Sequence, residues 1–109
     1  MKDIINQLRI FTKERNWEQF HTPDNLAKSI MIEAAELLEN YQWQPDAKDI
    51  DNVKDEIADI LAYTLMLADY YDFDIRDLLT NKIKKNHKKY PKDKVFGKSD
   101  KYTEIKNNK

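Results

Sequence analysis

The chain has 109 residues, 40% of them hydrophobic, which suits one domain with a modest core and leaves little room for a second. Nineteen Lys and Arg against twenty Asp and Glu give a formal net charge of -1, a balance that argues against a protein built around a polyanion. The absence of cysteine excludes a disulfide framework, a thiolate metal site and a thiol nucleophile, while one glycine, three prolines and 36% charged residues favour long solvated helices over a turn-rich sheet.

Ile4, Ile5, Leu8 and Phe11 fall at helical spacing and predict a first helix from about residue 2 to about residue 15. The same stretch, MKDIINQLRIFTKER, carries a charge every few positions, so neither a signal peptide nor a membrane span fits there, and no later apolar run is long enough to cross a bilayer. Residues 16–21 form a link to Thr22-Pro23-Asp24-Asn25, which reads as a helix start. Thr22 can cap, Pro23 suits the first turn, where its missing N–H is not needed, and Asp24 complements the helix dipole. The second helix is expected to reach about Tyr41.

Residues 42–47, with Pro45 and Asp46, carry turn chemistry; beyond them Val53, Ile57, Ile60, Leu61, Leu65 and Leu67 mark a long, central third helix. An interruption at 72–74 follows, Asp74 caps a fourth helix, and Ile75, Leu78, Leu79 and Ile83 carry its apolar stripe toward Tyr90 before Pro91 stops it. The expectation is an all-α, four-helix bundle-like domain over residues 1–91. Residues 92–109 are lysine-rich, nearly without aliphatics, and contain Gly97, so an extended tail is expected there. A bundle this small leaves apolar surface uncovered, which predicts a homo-oligomer, and the lack of cysteine and of a targeting segment fits a cytoplasmic protein.

Two acidic residues occupy positions that the helical period reserves for the core. Leu26, Ile30, Glu33 and Leu37 step by 4, 3 and 4 along one face, and Val53, Glu56, Ile60, Tyr63 and Leu67 repeat the pattern on the third helix. Glu36 and Asp59 lie one turn further on, so antiparallel packing of the two helices would bring four carboxylates together. Desolvating such charges costs on the order of several kcal/mol per ion, and only protonation or a bound cation offsets it. All-oxygen ligation favours magnesium, with manganese as the alternative. A single E-x-x-E in a charge-rich chain is usually a solvated coincidence, and Glu39 and Asp55 read that way; two pairs on consecutive helices, each starting at a core position, do not. Acids crowd residues 33–59 while lysines dominate from Lys82 onward, a polarity that suits a site for a metal and an anion.

The run Glu33-Ala34-Ala35-Glu36, followed by Glu56-Ile57-Ala58-Asp59, resembles the E-x-x-E, spacer, E-x-x-D signature of the MazG-like all-α nucleotide pyrophosphohydrolases. Trp17-Glu18-Gln19-Phe20-His21, Leu37-Leu38-Glu39 leading to Gln42-Trp43, and residues 82–91 (KIKKNHKKYP) resemble segments of that family's short, single-domain branch. The resemblance implies hydrolysis of a nucleoside triphosphate, often a deoxynucleotide, to the monophosphate and pyrophosphate, in a role of nucleotide-pool cleansing. It implies that Glu33, Glu36, Glu56 and Asp59 bind magnesium and carry catalysis, with one of them orienting the attacking water. It also implies dimers or tetramers.

Lys82, Asn86 and Lys89 share a helix face and match the family's K-x-x-x-N-x-x-basic pattern, where they would reach the phosphates. Asn86 also falls in the stripe Leu79, Ile83, Asn86, Tyr90, where a buried amide needs a partner, so Tyr90 joins the substrate-contact candidates. Lys84, Lys85 and Lys88 are read as a solvated face. Trp17, Trp43 and Tyr63 stand where the family places aromatic residues against the base; without the resemblance both tryptophans would be read as core. His21 either contacts the nucleotide or helps to end the link. Leu8 departs from base-specific relatives that carry a histidine there, which removes the basis for a cytosine preference. Gly97-Lys98-Ser99 and Lys101-Tyr102 are similar to a family ending that folds over the site or a neighbouring subunit, with simple disorder of the tail as the alternative.

Other readings fare less well. A carboxylate-bridged di-iron bundle needs Glu-x-x-His pairs, and neither His21 nor His87 lies three residues after a glutamate. A nucleic-acid-binding module could use the basic stretch 82–94, but the net charge speaks against it, and no nucleic-acid partner and no membrane contact are expected. A plain partner-binding bundle would show no carboxylate-dependent affinity for magnesium.

Overall fold

The computed structural model describes residues 1–97; the expected tail motif at Lys98, Ser99, Lys101 and Tyr102 lies outside them. The helices are α1 (Lys2–Glu14), α2 (Pro23–Glu39), α3 (Ile50–Tyr70), α4 (Ile75–Lys89) and a four-residue α5 (Lys92–Val95), with one 3₁₀ turn over Glu18–Phe20 inside the 16–21 link. The described chain is all-α. None of its helices is long and apolar enough to cross a membrane.

The local chemistry explains the boundaries. Thr22 Oγ1 accepts from the Asn25 N–H at 3.4 Å, and Asp74 Oδ1 from the Asp77 N–H at 2.9 Å, so both expected caps form. Asp49, which the hydrophobic pattern did not single out, caps α3 by accepting from the N–H groups of Asp51 at 3.0 Å and Asn52 at 3.2 Å. That cap starts α3 at Ile50, ahead of its first apolar core residue, Val53. Asn16 and Asp72 adopt left-handed backbone (φ 53° and 57°), a conformation that Asn and Asp tolerate, and they turn the chain out of α1 and α3.

The chain forms two compact units, Met1–Phe73 and a second beginning at Asp74. In the first unit α3 is central and packs on both α2 and α1. As numbers rise along the 16–21 link and α2 they fall along α3: His21 meets the Tyr63 ring, Glu33 meets Glu56, and Asn40 bonds to Asn52, which makes α2 and α3 antiparallel. Thr12 beside Met66 and Arg9 beside Asp69 give α1 the same antiparallel sense against α3. Leu26, Val53, Leu65 and Ala68 form the buried apolar core, joined by the buried polar residues Thr12, Asn40 and Glu56.

The second unit departs from expectation in two ways. Its α4 stripe is solvent-facing, with Leu78, Leu79 and Ile83 all exposed, and Asn86 is exposed too, so its amide does not need a buried partner. The segment expected to be extended begins with the helical turn Lys92–Val95, because Asp93 sits in its first turn and Pro91 immediately precedes it.

Candidate active site

The helical period that put Glu33 and Glu56 on the core faces of α2 and α3 is realised in the packing. Glu56 is 7% exposed and Glu33 half-buried, while Asp59, one turn on from Glu56, reaches the surface. One carboxylate oxygen from each of Glu33, Glu56 and Asp59 lies within 4.8 Å of the others. Glu36 is exposed and borders Glu33, with which its carboxyl group interacts by hydrogen bonding and charge. Three of the four expected carboxylates therefore meet at one place between the two helices, with Glu36 at its exposed edge beside Glu33.

The electrostatics carry the mark of that crowding. Glu33 holds its proton up to about pH 7, first because its carboxyl group shares a hydrogen bond with Glu56, then because it is desolvated, then because Glu36 adds a further hydrogen bond and negative charge. The Tyr63 hydroxyl is pushed up by burial and then by the charges of Glu33 and Asp59, which places that phenol beside the acids. Glu33 Oε2 and Glu56 Oε2 are buried with no hydrogen-bond donor among the described residues. Buried carboxylate oxygens without donors are costly, and the arrangement is one that a hard divalent cation would satisfy. Glu33, Glu56 and Asp59, each with a carboxylate oxygen within 4.8 Å of the others, are the residues that would hold such an ion.

An aromatic chain approaches the acids from the other end of α2. Phe11 packs edge-on against Trp17 at 5.8 Å between ring centroids, Trp17 against His21 at 6.5 Å, and His21 against Tyr63 at 6.4 Å. Trp17 and His21 flank the 3₁₀ turn Glu18–Phe20 as its two cap residues, and the turn brings their rings together. His21 Nδ1 is buried without a partner among the described residues, and His21 also lines a cavity of about 340 Å³ between α1, the link and α3. Leu8, Leu26, Met66 and Tyr70 supply its apolar wall, and Arg9 and Asp69 its charged edge.

Of the remaining candidates, Trp43 lies in the 40–49 loop, 88% exposed, and makes no ring contact among the described residues. Lys82, Asn86 and Lys89 lie on exposed positions of α4, with Tyr90 as its C-terminal cap residue, in the second unit. Several residues that touch the site had drawn no attention in the sequence. Arg9 donates to Asp69 through two nitrogens, one bond measuring 2.7 Å, and no local pattern links residues 60 positions apart. Asn52 donates to Glu56, and the signal that would have found it is its place one helical turn before an acid in a core position.

An all-α unit whose two antiparallel central helices each bring an E-x-x-E or E-x-x-D pair to one cluster defines a class, and the chain belongs to the MazG-like family, whose model matches residues 28–105. It is 32% identical over 114 residues to dCTP pyrophosphatase 1 of Rattus norvegicus, an alignment covering 96% of this chain and 67% of that one; the Homo sapiens dCTP pyrophosphatase 1 matches at the same identity and coverage. Among solved structures it is similar to a pyrophosphatase from Archaeoglobus fulgidus, with a TM-score of 0.79 and 39% identity over 84% of this chain and 92% of that one. Its enzyme class is that of the nucleotide pyrophosphohydrolases.

Proposed function

We propose that the chain is a magnesium-dependent pyrophosphohydrolase that converts a deoxynucleoside or nucleoside triphosphate into the monophosphate and pyrophosphate, and that it serves to clear the nucleotide pool. The observation that carries this reading is the meeting of Glu33, Glu56 and Asp59 around two buried oxygens that lack donors among the described residues, with Glu36 at the edge. In this reading the four acids are the ligands of the ion, and one of them also orients the attacking water. A bound magnesium ion supplies charge neutralisation at the phosphates, which is the main demand of phosphoryl chemistry.

The substrates named for the relatives support a deoxynucleotide as the first candidate. Trp17, His21 and Tyr63 are then the residues for holding the base, since their rings form a chain in which Tyr63 lies beside the acids and His21 lines the cavity beside α1, whose volume of about 340 Å³ suits a small planar ring. Leu8 in the cavity wall offers no hydrogen bond to a base edge, so cytosine selectivity is not part of the proposal. Trp43 joins the reading as an aromatic residue presented on an exposed loop.

Self-association belongs to the same proposal, as a dimer or tetramer. Met31 and Leu38 on α2 are 71% and 67% exposed, and Ile57 and Leu61 on α3 are exposed as well, so both central helices offer apolar surface that a second copy would cover.

The deciding experiment is turnover of a panel of canonical and modified nucleoside triphosphates with magnesium, assayed separately for pyrophosphate and orthophosphate. Pyrophosphate with the monophosphate is expected. Orthophosphate with the diphosphate, or no turnover across the panel, would overturn the reading.

A further inference from the structure

Asn40 is buried at the C-terminal end of α2, and every polar atom of its side chain is used. Its Oδ1 accepts from the backbone N–H of Asp49 at 3.1 Å, and its Nδ2 donates to Asn52 Oδ1 at 2.9 Å and to the Leu37 carbonyl at 3.5 Å. Its own carbonyl accepts from the Lys48 N–H at 3.0 Å. One residue thus ties together both ends of the 40–49 loop and the first turn of α3.

The sense of the chain of bonds is fixed by the backbone. Because an N–H can only donate, Asp49 obliges the Asn40 amide to present its oxygen there and its nitrogen to Asn52. Asn52 must then present its oxygen to Asn40, which leaves its nitrogen for Glu56, where Nδ2 donates to Oε1 at 3.5 Å. Such aligned amides polarise one another in the same direction. Glu56 ends the relay with Oε1 engaged and Oε2 buried without a donor among the described residues.

We propose that Asn52, held by Asn40, is a positioning residue for Glu56: by occupying Oε1 it leaves Oε2 as the oxygen presented to a divalent cation, so the closed 40–49 loop sets the affinity of the cluster. The proposal rests on the reading of the four acids as a cation centre. Asn52 touches neither substrate nor cation in this role. It acts through the orientation of a ligand, where loss of an outer partner weakens metal binding by about 10-fold or more.

The test is titration of the full-length protein with Mn2+ alone, followed by the electron paramagnetic resonance of the free ion, for wild type, Asn52→Leu, Asn52→Gln and Glu56→Gln, with helicity checked by circular dichroism. Asn52→Leu keeps the size and removes the donor, and is expected to weaken Mn2+ binding by about 10-fold. Asn52→Gln restores an amide donor at the same helical spacing and is expected to recover most of that loss. Glu56→Gln is expected to weaken binding further than either. Wild-type affinity in Asn52→Leu, or equal losses in the Leu and Gln variants, overturns the relay while leaving the cation centre standing if Glu56→Gln still binds poorly. Unchanged binding in Glu56→Gln removes the centre and the relay together.

Discussion

Glu33 and Glu56 face each other across the contact between α2 and α3, each with a buried Oε2 that finds no hydrogen-bond partner among the described residues. Two acids in that relation cannot both be ionised cheaply without a cation, and the consequences are measurable with and without one.

The first consequence is a pH dependence of opposite sign to ordinary acid denaturation. The Glu33 carboxyl group loses its proton near pH 7 in the folded chain against an ordinary value of 4.5, so between those values the folded state holds more protons than the unfolded one and stability falls as pH rises. With a chelator present, Tm is expected to decline from about pH 4.5 to about pH 7 and then level, and magnesium at neutral pH to restore it. A chelated protein whose Tm climbs through that window would contradict the assignment.

Replacing Glu33 by Gln is expected to remove that pH slope, and Glu56→Gln to reduce it, because the largest cause of the raised Glu33 value is the hydrogen bond its carboxyl group shares with Glu56, followed by its own desolvation. Each variant should be at least as stable as wild type in chelator and should gain less from magnesium. Turnover should drop on the order of 100-fold or more, since metal neutralisation of the transition state is worth several kcal/mol. Thermal melts with and without magnesium, beside a pyrophosphate assay, check both halves.

Arg9 and Asp69 clamp α1 to the end of α3, and their pairing holds the Asp69 carboxyl below its ordinary value of 3.8. Its contribution is therefore present above pH 3.8 and disappears as pH falls through the lower folded value. Asp69→Asn and Arg9→Gln are each expected to lower Tm by a few degrees at pH 7, with the double variant no worse than the single ones. Additive losses would show that the two side chains act independently.

Leu26 is 2% exposed, in the core and in the wall of the cavity. Leu26→Ala is expected to cost about 3 kcal/mol, a large share of the stability of a domain this small, and urea unfolding with an unchanged slope would register it.

The apolar faces of α2 and α3 give the final prediction. A charge at the exposed Met31 or Leu38, as in Met31→Glu or Leu38→Glu, should shift the sedimentation of the protein toward monomer with little loss of helicity. Wild type sedimenting as a monomer at micromolar concentration would end the proposal of self-association.

The helices and two of their caps were legible because apolar spacing and Thr or Asp caps are local signals. The convergence of Glu33 with Glu56 was legible for a related reason: the same period that marks a core face also marks an acid that does not belong there. The 60-residue pairing of Arg9 with Asp69, the burial of Asn40 and the aromatic chain through His21 were not, since each depends on how the helices cross. Asn86 shows the converse limit, because a stripe on paper became an exposed face in α4.

The placement of the two indoles gives the protein a pair of optical reporters that need no labelling. Trp17 packs edge-on against Phe11 and His21 and is 43% exposed, whereas Trp43 on its stapled loop is 88% exposed, so Trp17 is expected to emit to the blue of Trp43 and to be quenched less by iodide. Changes confined to one colour would then reveal which flank of the cleft a nucleotide meets first.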